Sequence, residues 1–404
     1  MQAVGRADYD GPPDYRTVGR HALLPNTTHD QAERYNFLAH LNRHLAAEVL
    51  PGVTAAYQSA IEPAFRQRHG RAPADRHEVR RALAGHSLYR LWSALRRNAM
   101  EMRQQSGLSV VLGQLRELIN RSAELADRQR LQLDPELKPP RYLTAVDHHC
   151  MPGSYYTERL EQDVSAAANY DSGLFVTTGG LLGRLADGGG RGMVAFLKKL
   201  RPDFAPRRIL DLGCGLGHNV LPIAAAYPDA EVTAVDVAAP MLRYGAARAA
   251  SLGVNNVTFV QADAANLSAF EDGCFDWVGS IMFLHETSYP ALKRIMAESR
   301  RLVAPGGLVT HVEQPRYDTA MPLLEQALRD WDAFNNNEPF WTKLHEIDLD
   351  QLMVAAGFDR NRLIHEGVHG IADEEGFGDA AADDEVEDYG RKPAWRITGA
   401  EVPA

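Results

Sequence analysis

The order of apolar segments after residue 207 constrains the fold more than any other feature of this sequence. Short apolar segments of strand length alternate there with segments of helical periodicity. This alternation predicts an α/β fold with a doubly wound, mostly parallel seven-stranded sheet and helices on both faces. Ligands of such sheets bind outside the carboxyl ends of the strands. The strands are predicted at 208–212, 231–237, 257–262, 277–283, 307–313, 363–367 and 394–398.

The residues before this region have a different character. Residues 28–132 show helical periodicity without strand alternation, and they predict an N-terminal all-helical cap domain. Its first helix is expected to begin at a capping box formed by Thr28 and Gln31 and to end at Pro51-Gly52. The predicted organisation is an irregular arm (1–27), the helical domain (28–132), a linker (133–145), a lid or connector segment (146–200) and the α/β domain (201–404) with an acidic insertion (373–388).

The charge of the chain is unevenly distributed. The formal net charge is −10, and nine acidic side chains lie in residues 373–388 alone. Residues 31–130 carry sixteen Arg, no Lys and nine Asp or Glu, so this part of the chain is basic. The acidic total argues against nucleic acid as a partner, whereas the basic part keeps an RNA-binding function open.

Cysteine content and hydropathy bear on the location of the protein. The three cysteines, Cys150, Cys214 and Cys274, are too few and too scattered for a disulfide framework. No apolar run approaches the roughly 18–20 residues that cross a bilayer, and the N-terminus lacks the pattern of a signal peptide. We therefore expect a cytoplasmic protein without membrane contact.

The most informative motif is a glycine loop that follows the first predicted strand of the α/β domain and opens a helix. Gly213, Gly215 and Gly217 alternate there, and Asp211 stands two residues before the first of them. Glycine lets the backbone turn tightly and lets a ligand approach, and the helix N-terminus offers free N–H groups. A dinucleotide-binding loop would need glycine where the chain has His218, which disfavours a dehydrogenase.

In this context the loop resembles the first motif of the class I S-adenosylmethionine-dependent methyltransferases, over about residues 207–400. The resemblance implies a Rossmann-like fold and S-adenosyl-L-methionine as cofactor. It implies that Asp211 and the loop hold the methionine part, that Asp236 accepts from the ribose hydroxyls, and that Asp263 contacts the adenine. The cofactor-binding residues implied in this way are Tyr170, Asp211, Gly213, Gly215, Gly217, Asp236, Val237, Met241, Asp263, Ala264 and Ser280.

Two segments supply candidate catalytic side chains. His285 and Glu286 follow the fourth predicted strand, where the family places the methyl group and the substrate. A general base is needed there only if the acceptor loses a proton early in the transfer. Upstream, His149 belongs to a run rich in His and Tyr. We expect residues 146–175, which contain this run and Tyr170, to cover the cofactor as a lid. No metal site is predicted, because His149 and its two neighbours are adjacent in sequence and adjacent residues rarely point at one ion.

These residues predict an S-adenosylmethionine-dependent methyltransferase that acts on a small-molecule acceptor. Methyl transfer from a sulfonium is an in-line displacement, so the protein mainly supplies proximity and alignment. Two alternatives stay open: an RNA methyltransferase that docks through the basic helical domain, and a non-catalytic cofactor-binding module that serves as an interaction platform. A homodimer through the helical domain is one expected assembly. The sequence leaves open which acceptor is used and whether N, O, S or C is methylated.

Overall fold

The centre of the molecule is one mixed sheet. The computed structural model describes residues 11–318, 320–371 and 394–404, so the predicted acidic insertion lies outside the described residues. Eight strands are present in the described part of the chain. They are β1 (Leu131–Gln132), β2 (Arg208–Leu212), β3 (Glu231–Asp236), β4 (Val257–Gln261), β5 (Phe275–Ile281), β6 (Val303–Glu313), β7 (Leu363–His369) and β8 (Ala394–Glu401).

The connectivity of this sheet is that of a doubly wound fold. The strand order is β1-β4-β3-β2-β5-β6-β8-β7. The neighbours from β1 to β6 run parallel, and β8 runs antiparallel to both β6 and β7. The prediction of a mostly parallel, doubly wound sheet is confirmed. The chain reverses its direction of winding between β2 and β5, and the carboxyl ends of these strands flank the point where such sheets bind ligands.

The short strand β1 adds an eighth strand to the seven that the sequence indicated. Leu131 and Gln132 pair in parallel with Phe259 and Val260 of β4. Two residues are too few to show the alternation from which strands are predicted. Because β1 lies at the end of the predicted helical domain, that domain is joined to the sheet by backbone pairing as well as by the linker.

Helices surround the sheet and form the N-terminal part of the molecule. None of them, in the part of the chain that the structure describes, has both the length and the apolar character that a membrane span requires. The α-helices are α1 (His29–His44), α2 (Leu50–Ala56), α3 (Glu62–His69), α4 (Arg76–Leu83), α5 (Ser87–Leu112), α6 (Leu115–Leu125), α7 (Arg141–Thr144), α8 (Ser165–Thr178), α9 (Gly188–Leu200), α10 (Val220–Ala226), α11 (Ala239–Ser251), α12 (Tyr289–Leu302), α13 (Leu323–Asn335), α14 (Trp341–Glu346) and α15 (Leu349–Ala355).

The predicted end of the first helix is wrong. Helical structure continues from α1 through α2, which contains Pro51, to α3, and it ends at Gly70, whose φ is +69°. A wide π-helical turn at Leu45–Val49 precedes the proline, and the N–H of Leu50 donates to a carbonyl five residues earlier. Because a widened turn relieves the clash between a proline ring and the preceding turn, the helix passes Pro51 without ending.

Hydrophobic cores lie on both faces of the sheet. Ile209 of β2 packs in a cluster with side chains of α9, α10 and α11. Its neighbour Leu210 packs in a second cluster with side chains of α12 and α15. Successive side chains of a strand point to opposite faces, so both faces of β2 are buried and the sheet is a rigid platform.

The predicted lid or connector segment contains a buried helix. Nearly all side chains of α8 are buried, and the helix packs against α1, α5 and α11. Its contact with α5 is close, because a Cβ on Gly107 would lie 2.0 Å from the Oδ1 of Asn169. The irregular stretch before α8 brings His149 and Tyr155 to the carboxyl edge of the sheet.

Candidate active site

Backbone hydrogen bonds hold the glycine loop after β2 in a fixed shape. The N–H groups of Gly213 and Cys214 both donate to the carbonyl of Val235, at 2.9 and 3.0 Å. Gly213 has a φ of +69°, and a Cβ there would lie 2.1 Å from the ring of Phe283. Only glycine fits this position, because the backbone conformation and the lack of space both exclude a side chain.

Asp236, at the end of β3, ties the glycine loop to the sheet. Its Oδ2 accepts from the N–H of Gly215 and its Oδ1 accepts from the N–H of Ala238, both at 2.9 Å. Burial raises the pKa of the Asp236 carboxyl, and these N–H donors oppose the rise. The side chain also lines a cleft above the loop. Each carboxylate oxygen has a second lone pair, so Asp236 can accept from a ligand in that cleft as well.

Asp211 lies beside the same loop and is only 6% exposed. Burial, and then repulsion by Asp236, raise the pKa of the Asp211 carboxyl to about 8. At neutral pH this carboxyl is therefore mostly protonated as long as no cation lies close to it. A cationic ligand group would lower the pKa again, which makes Asp211 suited to a ligand with an ammonium group.

Two adjoining cavities open at the carboxyl edge of the sheet. The cleft above the glycine loop has a volume of about 150 Å³. A second cavity of about 240 Å³ lies between the sheet edge, α5, α8 and α13. Both cavities are lined by Tyr155, Tyr170, His218, Asn219, Met282 and Glu286.

Histidines and carboxylates form the wall between the cleft and the second cavity. His149 Nε2 lies 3.2 Å from Glu286 Oε1, and His149 Nδ1 lies 2.7 Å from Glu338 Oε1. His285 Nδ1 lies 2.8 Å from Glu313 Oε2. The structure thus brings together His149, His285 and Glu286, the three residues that the sequence suggested for catalysis.

Neighbouring groups determine which side chains of this cluster are charged at neutral pH. Burial alone would lower the pKa of His285, but attraction by Glu313 outweighs burial and raises this pKa to about 9. At His149, Glu338 and Glu286 also outweigh burial and hold the pKa of the imidazole well above its ordinary value. For Glu286, burial is outweighed by His149, which holds the pKa of the carboxyl well below its usual range. Both imidazoles therefore keep their protons at neutral pH and act as donors rather than as bases.

One group of side chains has the composition of a metal site. Among the described residues, His149, Glu286 and Glu338 alone bring three ligand-type atoms within 4.8 Å of one another. The two ring nitrogens of His149 face different carboxylates, so hydrogen bonds alone account for this arrangement. The Sγ of Cys150 donates instead to the carbonyl of Asn335, at 3.2 Å. That no metal is bound stays a prediction.

Comparison with known proteins identifies the α/β part of the chain. Residues 209–307, which span β2 to the start of β6, match a family model described as a methyltransferase domain. This is a class I S-adenosylmethionine-dependent methyltransferase domain. The resemblance seen in the sequence is confirmed, and S-adenosyl-L-methionine is the cofactor of such a domain.

The methyltransferase domain has relatives among curated proteins. Over 111 residues the chain is 39% identical to the demethylmenaquinone methyltransferase of Thermus thermophilus, a match that covers 28% of this chain and 49% of that protein. Over 174 residues it is 30% identical to a malonyl-[acyl-carrier protein] O-methyltransferase of Methylococcus capsulatus, which covers 43% and 59%. The chain thus spans about half the length of these relatives. A solved O-methyltransferase family protein from Burkholderia thailandensis is 15% identical, with a TM-score of 0.44 over 76% of this chain and 72% of that chain.

The methyltransferase domain places most of the predicted cofactor residues around the cleft. Asp211, Gly217, Asp263 and Ser280 do not line it. Asp263 accepts from the N–H of Ala265 at 2.9 Å, and the hydroxyl of Ser280 lies 2.8 Å from His311 Nδ1. Contacts of these four residues with the cofactor therefore stay predictions. The residues that do line the cleft are Tyr170, Gly213, Gly215, Asp236, Val237, Met241 and Ala264.

Sequence reasoning missed several residues in and beside the two cavities. Tyr142 and Leu143 line the cleft of the methyltransferase domain, although they lie in the predicted linker. Glu338 contacts His149 from the loop after α13, in a region without a motif. Phe283, beside Gly213, stands at the end of the fourth predicted strand, and this position at the carboxyl edge was the signal that could have found it.

We expect cofactor binding to release a proton from Asp211 at neutral pH. The resemblance places the amino group of the cofactor at this carboxyl, whose pKa of about 8 leaves it mostly protonated at pH 7. An ammonium group nearby lowers the pKa, so binding of S-adenosylhomocysteine at pH 7 should release up to about one proton. Calorimetry in two buffers of different ionisation enthalpy measures the number released.

The Asp211→Asn variant is the control for this proton release. Asparagine keeps the size of the side chain but has no proton to lose, so the release should fall to near zero. Raising the pH of the wild-type protein well above 8 should have the same effect, since the carboxyl is then already ionised. An unchanged release in the variant would show that another group supplies the proton.

Proposed function

We propose that this chain is an S-adenosylmethionine-dependent methyltransferase that transfers a methyl group to a small-molecule acceptor. The observation that supports the proposal is that the cleft and the larger cavity adjoin each other and share Tyr170 and Glu286. A cofactor in the cleft and an acceptor in the cavity would meet at these side chains. Curated relatives are named for acceptors such as demethylmenaquinone, fatty acids and trans-aconitate.

The residues around the two cavities are suited to positioning. When bound, S-adenosylmethionine supplies an activated methyl group and a good leaving group. Asp236 and the glycine loop orient the donor side. Glu286, which accepts from the Tyr155 hydroxyl at 2.9 Å and faces His149 at 3.2 Å, fixes the wall against which an acceptor is aligned. α5, α8 and α13 line the larger cavity, so the main contribution of the chain is to align the acceptor beside the cleft.

The cluster at this wall favours acceptors that need no base. We assign His149, His285 and Glu286 to acceptor contact. Both imidazoles keep their protons at neutral pH, and the low pKa of the Glu286 carboxyl makes it a weak proton acceptor. An acceptor atom with an available lone pair or a negative charge fits such a wall. Both ring nitrogens of His149 face carboxylates and His285 Nδ1 faces Glu313, so the Nε2–H of His285 is the imidazole donor that would orient the polar part of the acceptor.

An RNA acceptor has less support. A tRNA (guanine-N(7)-)-methyltransferase of Chloroflexus aggregans is among the relatives, over 55 residues. Many arginines of the basic helical part, however, are already paired with carboxylates, which leaves less free positive charge for phosphates. The ion pairs are Arg66–Glu62, Arg71–Glu78, Arg76–Asp330, Arg96–Asp332, Arg97–Glu101 and Arg121–Glu117.

A non-catalytic cofactor-binding module is the remaining alternative. Such a module would need only the cleft for the cofactor. The adjoining cavity, which is lined by charged side chains, therefore favours an enzyme. Coverage of the cofactor by residues 146–175, a homodimer through the helical domain and a cytoplasmic location belong to the same proposal.

A transfer assay with methyl-tritiated S-adenosylmethionine separates these functions. Purified protein is incubated with a cell extract, and label is counted in the dialysable small-molecule fraction and in the RNA fraction. We expect label in small molecules only, because the larger cavity between α5, α8 and α13 has a volume of about 240 Å³. A Gly213→Val variant, whose side chain collides with Phe283, is the matched inactive control.

Each outcome of the assay favours one function. Label that ribonuclease releases would favour RNA, and RNA binding tighter than the non-specific range of about 10⁻⁴–10⁻⁶ M would support the same conclusion. No label in either fraction, together with intact binding of S-adenosylhomocysteine, would favour the non-catalytic module. Absence of cofactor binding would contradict the proposed function as a whole.

A further inference from the structure

Arg103 of α5 is a buried cation without an anionic partner. Its side chain lines the larger cavity, and the residue is only 7% exposed. The Nε donates to the carbonyl of Gly173 at 2.9 Å, whereas the Nη2 has no hydrogen-bond partner. In the part of the chain that the structure describes, no carboxylate forms an ion pair with this guanidinium. Burial accordingly lowers the pKa of Arg103.

The other arginines that line the cavity are neutralised. Arg96 faces Asp332 at 3.6 Å and donates to Asn42 at 2.9 Å. Arg329 pairs with Glu325 at 3.0 Å. A buried charge without a partner costs several kcal/mol, and guanidinium groups in protein interiors are ordinarily matched by carboxylates. Among the described arginines that line this cavity, Arg103 is therefore the one without a carboxylate partner.

The packing around Arg103 holds its guanidinium in one place. A Cβ on Gly173 would lie 2.7 Å from the Nε, so the glycine of α8 is what gives the guanidinium room. The Cζ lies 5.8 Å from the ring centroid of Tyr170, which lines both the cofactor cleft and the acceptor cavity. Arg103 itself lines only the acceptor cavity. A group bound to it would lie beside the wall of the cofactor cleft.

One other group on the cavity wall is also suited to an anion. The indole Nε1 of Trp341 is a second donor without a partner, and its ring lies 4.6 Å from that of His285. His149 and His285 also line the cavity, but each is paired with a carboxylate, His149 with Glu286 and Glu338 and His285 with Glu313. Among the described residues of this lining, Arg103 is therefore the cation that is left for an anion, and the Trp341 indole adds a second free donor.

We propose that Arg103 binds a carboxylate of the methyl acceptor, so that the substrate class of this enzyme is a carboxylic acid. The inference rests on the proposed function, because it assigns a chemical class to the acceptor of that same site. A planar guanidinium fits a carboxylate through its N–H donors, and the Nη2, which has no partner while the Gly173 carbonyl takes the Nε, is a donor left for this contact. Arg103 thus selects and positions the acceptor and takes no part in bond breaking.

Paired acids and amides test the proposal directly. The probes are malonate, benzoate and octanoate, each compared with its carboxamide, and they are titrated calorimetrically into protein saturated with S-adenosylhomocysteine. We expect at least one acid to bind ten-fold or more tightly than its amide. Arg103→Met, which keeps the length of the side chain but removes its charge, should abolish this preference. Arg103→Lys should retain part of it. Arg90→Met, on an exposed position of the same helix, is the matched control and should bind the acids as the wild type does.

Two further measurements separate this proposal from other roles of Arg103. S-adenosylhomocysteine affinity should be the same for wild type and Arg103→Met, because the residue does not line the cofactor cleft. The melting temperature of Arg103→Met should equal or exceed that of the wild type, because an uncompensated buried charge is retained for binding and not for stability. A large fall in either quantity would assign Arg103 to the cofactor or to the fold and overturn the proposal. So would acids that bind no better than amides, or an acid preference that survives in Arg103→Met. If the proposed function itself is wrong, the wild-type protein will not bind S-adenosylhomocysteine, and this result is distinct from all of those above.

Discussion

Replacing Asp171 by alanine should lower the free energy of unfolding by about 3–5 kcal/mol, the range for removing one partner from a buried ionic network. The carboxylate of Asp171 accepts from His21 Nε2 at 2.9 Å, from His218 Nε2 at 2.7 Å and from the Tyr244 hydroxyl at 2.7 Å. The Nδ1 of His21 accepts from the N–H of Leu23, so the proton of this imidazole sits on Nε2. Alanine would leave the two buried imidazole donors without an acceptor, and the Tyr244 hydroxyl would keep only the Leu23 carbonyl, at 3.1 Å.

Urea denaturation followed by circular dichroism and fluorescence measures this loss. Asp272→Ala is the control, because Asp272 forms an ion pair with Arg301 but its side chain is 81% exposed. The control should change the free energy of unfolding by about 1 kcal/mol at most. A loss for Asp171→Ala no larger than that of the control would mean that the two imidazole donors find other partners.

The contribution of Asp171 should depend on pH in one direction. Burial would raise the pKa of this carboxyl, but His21 and His218 outweigh burial and hold the pKa well below its ordinary value of 3.8. Because the pKa is lower in the folded than in the unfolded protein, the stabilisation is fully present above about pH 4–5 and is lost as the pH falls through the folded value. The difference between wild type and Asp171→Ala should therefore stay constant at neutral pH and shrink in acid.

Replacing Asp236 by alanine should weaken the binding of S-adenosylhomocysteine by about 2–3 kcal/mol, the size expected for losing charge-assisted hydrogen bonds. Two causes combine here. The resemblance to the family assigns the ribose hydroxyls to this carboxylate, and the structure shows that it also holds the N–H groups of Gly215 and Ala238. The variant would lose a ligand contact and the anchor of the glycine loop together.

Calorimetry with S-adenosylhomocysteine measures the change in affinity for Asp236→Ala. Asp229→Ala is the matched control, because Asp229 is exposed and lies just before the amino end of β3, at the opposite edge of the sheet from Asp236. The control should bind like the wild type, and circular dichroism should show that both variants fold. If Asp236→Ala bound S-adenosylhomocysteine as tightly as the control, the assignment of Asp236 to the ribose hydroxyls would be wrong.

The parts of the site that the sequence revealed are those with a local pattern. The glycine loop and Asp236 stand at fixed distances from predicted strands, and the strand ends of a parallel sheet meet at one edge. Position at a strand end also led to His285 and Glu286. These predictions depended on the order of elements along the chain and did not require knowledge of how distant helices pack.

The parts that the sequence concealed depend on long-range packing. Arg103 lies on a long helix among fifteen other arginines of residues 31–130, and nothing in its neighbours distinguishes it until Gly173 of α8 packs against it. Glu338 is 189 residues from His149 along the chain, and their contact appears only when the helices after β6 return to the sheet edge. β1 was missed because a strand of two residues shows no alternation, and the helix continues past Pro51 because the turn before the proline is widened.

The pairing of β1 with β4 has a consequence for how this protein can be divided. The helical part and the methyltransferase domain look like separate modules in the sequence, and a truncation before β2 would appear to isolate the second of them. Such a truncation would remove Leu131 and Gln132 from beside Phe259 and Val260 and turn β4 into an exposed edge strand. Unpaired edges invite association with other chains. The boundary between the helical part and the methyltransferase domain therefore lies inside the sheet. By pairing with β4, the helical part keeps the edge of that strand from pairing with other chains.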